Sequence, residues 1–200
     1  MRSIKDKIES VTGRLKIEKR NAQGVVTQEM EVPNLVVNDG LEYIAQRMVD
    51  NDSSLHGNDH DHPGEMTKMA LGSNGGNAAG APTPTTPAGV DSTLRTEHGS
   101  KKALTSVDVS GQTVTYVATF GGTEATGFDH TAEQQGADGT NNNEGQLNGY
   151  TGNYDSNKDG SIKEAGIFND DGTMLCRTVF LPVNKEDGDS ITVTWVITIN

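Results

Sequence analysis

One cysteine in the chain, Cys176, excludes an internal disulfide framework and a zinc site built from several thiolates. Long apolar runs are missing as well. None approaches the roughly 18 residues of a membrane span, so no membrane insertion is expected. The first residues, Met1-Arg2-Ser3-Ile4-Lys5-Asp6-Lys7, lack the apolar stretch of a secretory signal. Basic residues are few: 16 Lys and Arg against 28 Asp and Glu leave a net charge of −12. That balance argues against a nucleic-acid partner, because phosphate binding works through clustered cations that release counterions. Hydrophobic residues make up only 32% of the chain, too few to fill one large core if spread evenly. They are not spread evenly. They gather in strand-like runs between long polar stretches, which implies a single β-rich domain over 1–200 with large solvated loops.

The C-terminal third carries the strongest pattern. Ile191, Val193, Trp195, Ile197 and Ile199 alternate with Thr192, Thr194 and Thr198, the period-two signature of a half-buried strand. With the runs from Ile162 to Asn169 and from Thr173 to Val183, joined by acidic turns, this predicts an antiparallel meander. Cys176 alternates there with Met174, Thr178 and Phe180 and reads as a small buried hydrophobe.

Upstream, Gly13 to Lys19 and Val25 to Val32 read as a hairpin that Pro33 ends, with Leu15 and Ile17 facing Val26, Met30 and Val32. Asn38 to Val49 reads as the one helix. Asp39 as N-cap and Glu42 form a capping box, and Leu41, Ile44, Ala45 and Met48 form an apolar stripe. Met66 to Leu71 is a short strand, and Asp91 to Glu97 a single helical turn. Ala103 to Val109 and Thr113 to Phe120 form a second hairpin. The expected fold is therefore mainly β: an antiparallel sheet or sandwich with one packed α-helix and long polar loops. Trp195, Phe120, Phe168 and Phe180 are expected to share the buried face of one sheet, against the Leu41–Met48 helix. Residues 121–160 run with scarcely an aliphatic side chain and read as a polar insertion between two strands.

Taken in order, several pieces resemble a family. They are Asn34-Leu35-Val36-Val37 before the helix, Met69-Ala70-Leu71-Gly72, Ser92-Thr93-Leu94-Arg95-Thr96-Glu97, Val114 to Phe120, Glu164-Ala165-Gly166-Ile167-Phe168-Asn169 and Met174-Leu175-Cys176-Arg177. The order is similar to that of tailed-bacteriophage virion proteins of the tail-collar fibre type. The resemblance covers 34–199 discontinuously, and its motifs are structural rather than catalytic. It implies a non-enzymatic structural protein of the virion, assembled in the host cytoplasm and binding other virion proteins. It also implies a homo-oligomer, with a trimer favoured. Because the chain stops at Asn200 without a repetitive shaft, a tail or collar fibre-adaptor and a capsid decoration protein both stay open. So does a host glycan- or receptor-binding module that uses the 121–160 insertion.

Two constellations suit metals. Asp155-Ser156-Asn157-Lys158-Asp159-Gly160-Ser161-Ile162 matches the first eight positions of an EF-hand loop, with oxygens at 1, 3 and 5 and Gly at 6. Gly166 stands where the bidentate Glu belongs, so a weak calcium site would use Asp155, Asn157, Asp159, the Ser161 carbonyl and Glu164 or another acid. The alternative is an acidic turn entering a strand. His60 and His62 sit at i and i+2, as in the His-x-His iron sites of some phage tail tips, but one such pair supplies few ligands and also reads as a plain exposed loop. No nucleophile elbow, P-loop, dinucleotide fingerprint or HExxH helix is present, and no catalytic residue is assigned.

Overall fold

The computed structural model describes residues 11–47, 63–73, 85–122, 124–125, 161–185 and 188–199. In chain order its elements are β1 (Val11–Arg20), β2 (Val26–Pro33), β3 (Leu35–Val36), α1 (Asn38–Arg47), β4 (Met66–Gly72), β5 (Lys102–Ala103), β6 (Ser106–Ser110), β7 (Thr113–Phe120), β8 (Ser161–Asn169), β9 (Met174–Asn184) and β10 (Ser190–Ile199). They form two five-stranded antiparallel sheets. Sheet A runs β2-β1-β10-β7-β6 and sheet B runs β3-β9-β8-β4-β5. The protein is mainly β with one helix among the described residues, as its sequence pattern implies.

Sheet A follows the alternation written in its strands. Trp195 lies opposite Leu15 on one side and Tyr116 on the other, and Ile191 lies opposite Phe120. These side chains turn inward, and Leu15, Ile17, Phe120, Val193 and Trp195 are buried. The N-terminal hairpin has the expected register, Leu15 to Val32 and Ile17 to Met30. Val26 departs from it: a bulge at Lys19/Arg20 sets it opposite Arg20, where it is exposed.

Sheet B buries both faces. Its inner side chains, among them Met69, Leu71, Ala165, Ile167, Cys176, Phe180 and Val183, join the inward residues of sheet A in one core. Phe168 points the other way and packs with Val37, Ala70, Leu94 and Met174 in a second cluster. All four aromatics are buried as expected, but they do not share one face. Trp195 and Phe120 belong to sheet A, Phe180 meets them from sheet B, and Phe168 lies outside that core. The C-terminal runs are not a meander either. The β8–β9 hairpin stays in sheet B, while β10 crosses into sheet A between β1 and β7. Its apolar face finds two matching neighbours there, and the crossing is held by Lys19 Nζ on Asp189 Oδ2 at 2.7 Å.

Further expectations are corrected. Ala103 to Val109 is not one strand: Leu104 N donates to Thr67 O and Thr105 N to Val117 O, so the chain changes sheets between them. Asp91 to Glu97 is an irregular strap bridged to Gly72 rather than a helical turn. The helix starts at Asn38 as expected, but its N-cap lies two residues before Asp39. Leu41 N donates to Val37 O, which makes Val37 the N-cap and places Asp39 inside the first turn, where its charge suits the helix dipole. α1 meets β9 through Gly40, whose missing Cβ would sit 2.0 Å from the Leu175 carbonyl oxygen. Tyr43 and Ile44 are half-buried against the core, whereas Leu41 of the supposed stripe is 47% exposed.

Candidate functional site

The outer face of sheet B carries the densest polar chemistry among the described residues, and simple register explains how it forms. In β8 the outward positions are Glu164, Gly166 and Phe168; β4 sets Gly72 opposite Glu164, and β9 sets Arg177 opposite Gly166. Two of these positions are glycine, so a strap of residues 85–98 can lie directly on the sheet. A Cβ at Gly72 would fall 2.1 Å from Thr96 O, and one at Gly166 would fall 3.0 Å from Leu94 Cδ2. The strap also adds to the edge of β4, with Ser73 N on Thr96 O at 2.9 Å and His98 N on Leu71 O at 2.8 Å.

Under the strap, Glu164 and Arg177 are almost completely buried and face each other. Glu164 Oε2 accepts from Arg177 Nε at 3.0 Å and Nη2 at 2.7 Å, and from the Arg95 backbone N–H at 3.0 Å. Glu164 Oε1 accepts from Thr96 N at 2.8 Å. Arg177 Nη1 reaches outward to Asp91 Oδ2 at 2.8 Å and Thr85 Oγ1 at 3.2 Å, and Asp91 Oδ2 also takes the Ala88 N–H. A guanidinium fork suits this task, since its donors leave in fixed directions and cannot be neutralised. A carboxylate with both oxygens committed to donors is a poor general base. The cluster is a clamp that fixes the strap in one position.

His98 closes the strap's far end. Burial first, and Lys163 second, lower its pKa to about 3, so the imidazole is neutral. Lys101 stacks its ammonium 4.6 Å from the centre of the Phe168 ring. On the inner face, burial pushes the Cys176 thiol well up. It is a packed side chain, not a nucleophile.

The candidate metal residues separate. Glu164 is removed from the calcium set, because both its oxygens are engaged inside the clamp. Ser161 opens β8, and its Oγ donates to Asn184 Oδ1 at 2.6 Å. Asp155, Asn157 and Asp159 lie outside the described residues, as do His60 and His62. Among the described residues no group of three or more His, Cys, Asp or Glu is placed to hold a metal ion.

The roots of the 121–160 insertion are well defined. Gly121 N donates to Glu124 Oε2 at 2.8 Å, and Glu124 also pairs with Lys102, which holds its carboxyl below the usual range. Lys185 Nζ donates to Gly122 O at 2.8 Å, next to Asn184 on Ser161. Adjacent residues at the end of β9 therefore fasten both roots of the insertion, which brings them together.

The sequence motifs contain every residue of the Glu164–Arg177 pair, yet their spacing gives no sign that these two meet. The available signal is a Glu and an Arg at outward positions of neighbouring strands, each amid small or apolar residues. No protein-family model, curated protein or solved structure matches the chain.

Proposed function

We propose that this chain is a non-enzymatic structural component of a tailed-phage particle, a tail or collar fibre-adaptor that binds other virion proteins and copies of itself. The observation that supports this reading is the convergence of the motif segments. Met69 to Gly72, Leu94 to Glu97, Glu164 to Phe168 and Met174 to Arg177 are distant in sequence but meet in one clamp. Each motif residue has a mechanical task there: glycines admit the strap, Leu94 and Phe168 pack beneath it, and Glu164 with Arg177 bolts it down. Such parts suit a rigid building block. The joined roots of the 121–160 insertion suit one that carries a polar excursion without disturbing its sheets.

Particles purified from the cells that produce this chain provide the test. Mass spectrometry should find the protein in them at a fixed copy number, and a reconstruction should place both sheets at the tail or collar. Density on the capsid surface would assign the decoration role instead. Absence from purified particles would overturn the reading.

A further inference from the structure

The outer face of sheet A has a property the clamp does not use. Its two central strands present Thr192, Thr194, Val196 and Thr198 from β10 beside Thr113, Thr115, Val117 and Thr119 from β7. None of these eight outward side chains is charged, in a chain of net charge −12. The hydroxyls also serve one another: Thr113 Oγ1 lies 3.0 Å from Thr198 Oγ1, and Thr119 Oγ1 lies 3.2 Å from Thr192 Oγ1. Hydroxyls paired in this way lose less when water leaves.

Charge returns at the flanks: β1 presents Arg14, Lys16 and Glu18, with Arg14 Nη1 3.0 Å from Glu31 Oε1 of β2 at the exposed edge, and β6 presents Asp108. Register places Arg14, Val196, Thr115 and Asp108 in one transverse row, Arg14 on β1 and Asp108 on β6. A two-fold axis along the strands, between β10 and β7, would lay β10 over β7 of a second copy and β1 over β6. Arg14 of each copy would then face Asp108 of the other, twice per pair. Four strands overlap in this arrangement, and at about 4.8 Å spacing and about 25 Å length they offer roughly 500 Å² per copy, or about 1,000 Å² in all, the floor for a specific interface.

We propose that this threonine-valine face is where two copies of the chain pack, sheet on sheet in the aligned manner of a β-sandwich. The inference names the surface for the self-association half of the functional reading, and the particle experiment can fail without it.

Sedimentation velocity on the full chain tests it across roughly 1–100 μM, the range expected for a face of this size. Wild type should form a dimer. Thr194→Lys, which sets an ammonium against Val117 of the other copy, should raise the dissociation constant at least about tenfold. Arg14→Asp and Asp108→Arg should each weaken association, and the double exchange should restore it. Near-ultraviolet circular dichroism from buried Trp195 verifies that each variant is folded. If Thr194→Lys fails that check, the exchange pair decides alone. A wild type that stays monomeric throughout, or an oligomer (a trimer included) whose mass neither Thr194→Lys nor the single exchanges alter, would overturn the proposal.

Discussion

Sheet A sorts its chemistry by face, whereas sheet B buries both. In β10 every second residue is buried and the Thr and Val between them are half-exposed. In β8 all but Lys163 are buried, including Glu164. The difference lies in what covers the outer side. Sheet A has no described segment across β10 and β7, while sheet B carries a strap that glycines allow within contact distance. A polar outward position on an open face keeps water; the same position under a strap must find protein partners. Glu164 and Arg177 are that requirement met.

The two sheets should therefore fail differently. Arg177→Met leaves the Glu164 carboxylate buried without its cation and should cost about 3–5 kcal/mol by urea denaturation. The double variant Glu164→Gln with Arg177→Met should regain part of this, since no charge stays buried and the amide oxygen still accepts from one of the two strap N–H groups. If the double is as unstable as the single, the clamp is not an ion pair in energetic terms. Trp195→Ala should cost a similar amount, about 3–5 kcal/mol, by leaving a cavity in the core. No second substitution on the strap should rescue it, because its loss is packing rather than unpaired charge.

Acid should act on sheet B first. His98 is held neutral in the fold with a pKa near 3, against 6.5 in an open chain. Between those values the unfolded chain binds a proton that the folded one excludes. This contribution is thus complete above pH 6.5 and declines as pH falls toward 3, by about 1.4 kcal/mol per pH unit within the window. His98→Gln should flatten the urea midpoint against pH in this range; an unchanged slope would assign it elsewhere. The smallest effect belongs to the open face. Thr119→Val removes one cross-strand hydroxyl pair and should change stability by no more than roughly 0.5–1 kcal/mol. A larger loss at concentrations where the chain is monomeric would mean that the outer face of sheet A is covered within a single copy.

Local patterning settled a good deal of this molecule. The alternation in β10 and β7, the hairpin register of Leu15 on Val32, the existence of α1 and the burial of Cys176 are all legible in sequence, because strand and helix periods act over a few residues. Period alone cannot say which sheet a strand joins. Hence β10 left the expected meander, and Leu104–Thr105 divides a run that reads as one strand. Gly40 against Leu175 likewise decided how the helix docks, although a stripe including Leu41 was the visible signal. Glu164 shows the limit most clearly. In sequence it sits near the end of an acidic turn and reads as a cation ligand. In the fold it lies beneath residues 95 and 96 and beside residue 177, with its charge already answered. The sequence determined which faces are apolar; only the tertiary structure decided which polar groups meet, because a buried charge takes its role from partners brought together by long-range pairing.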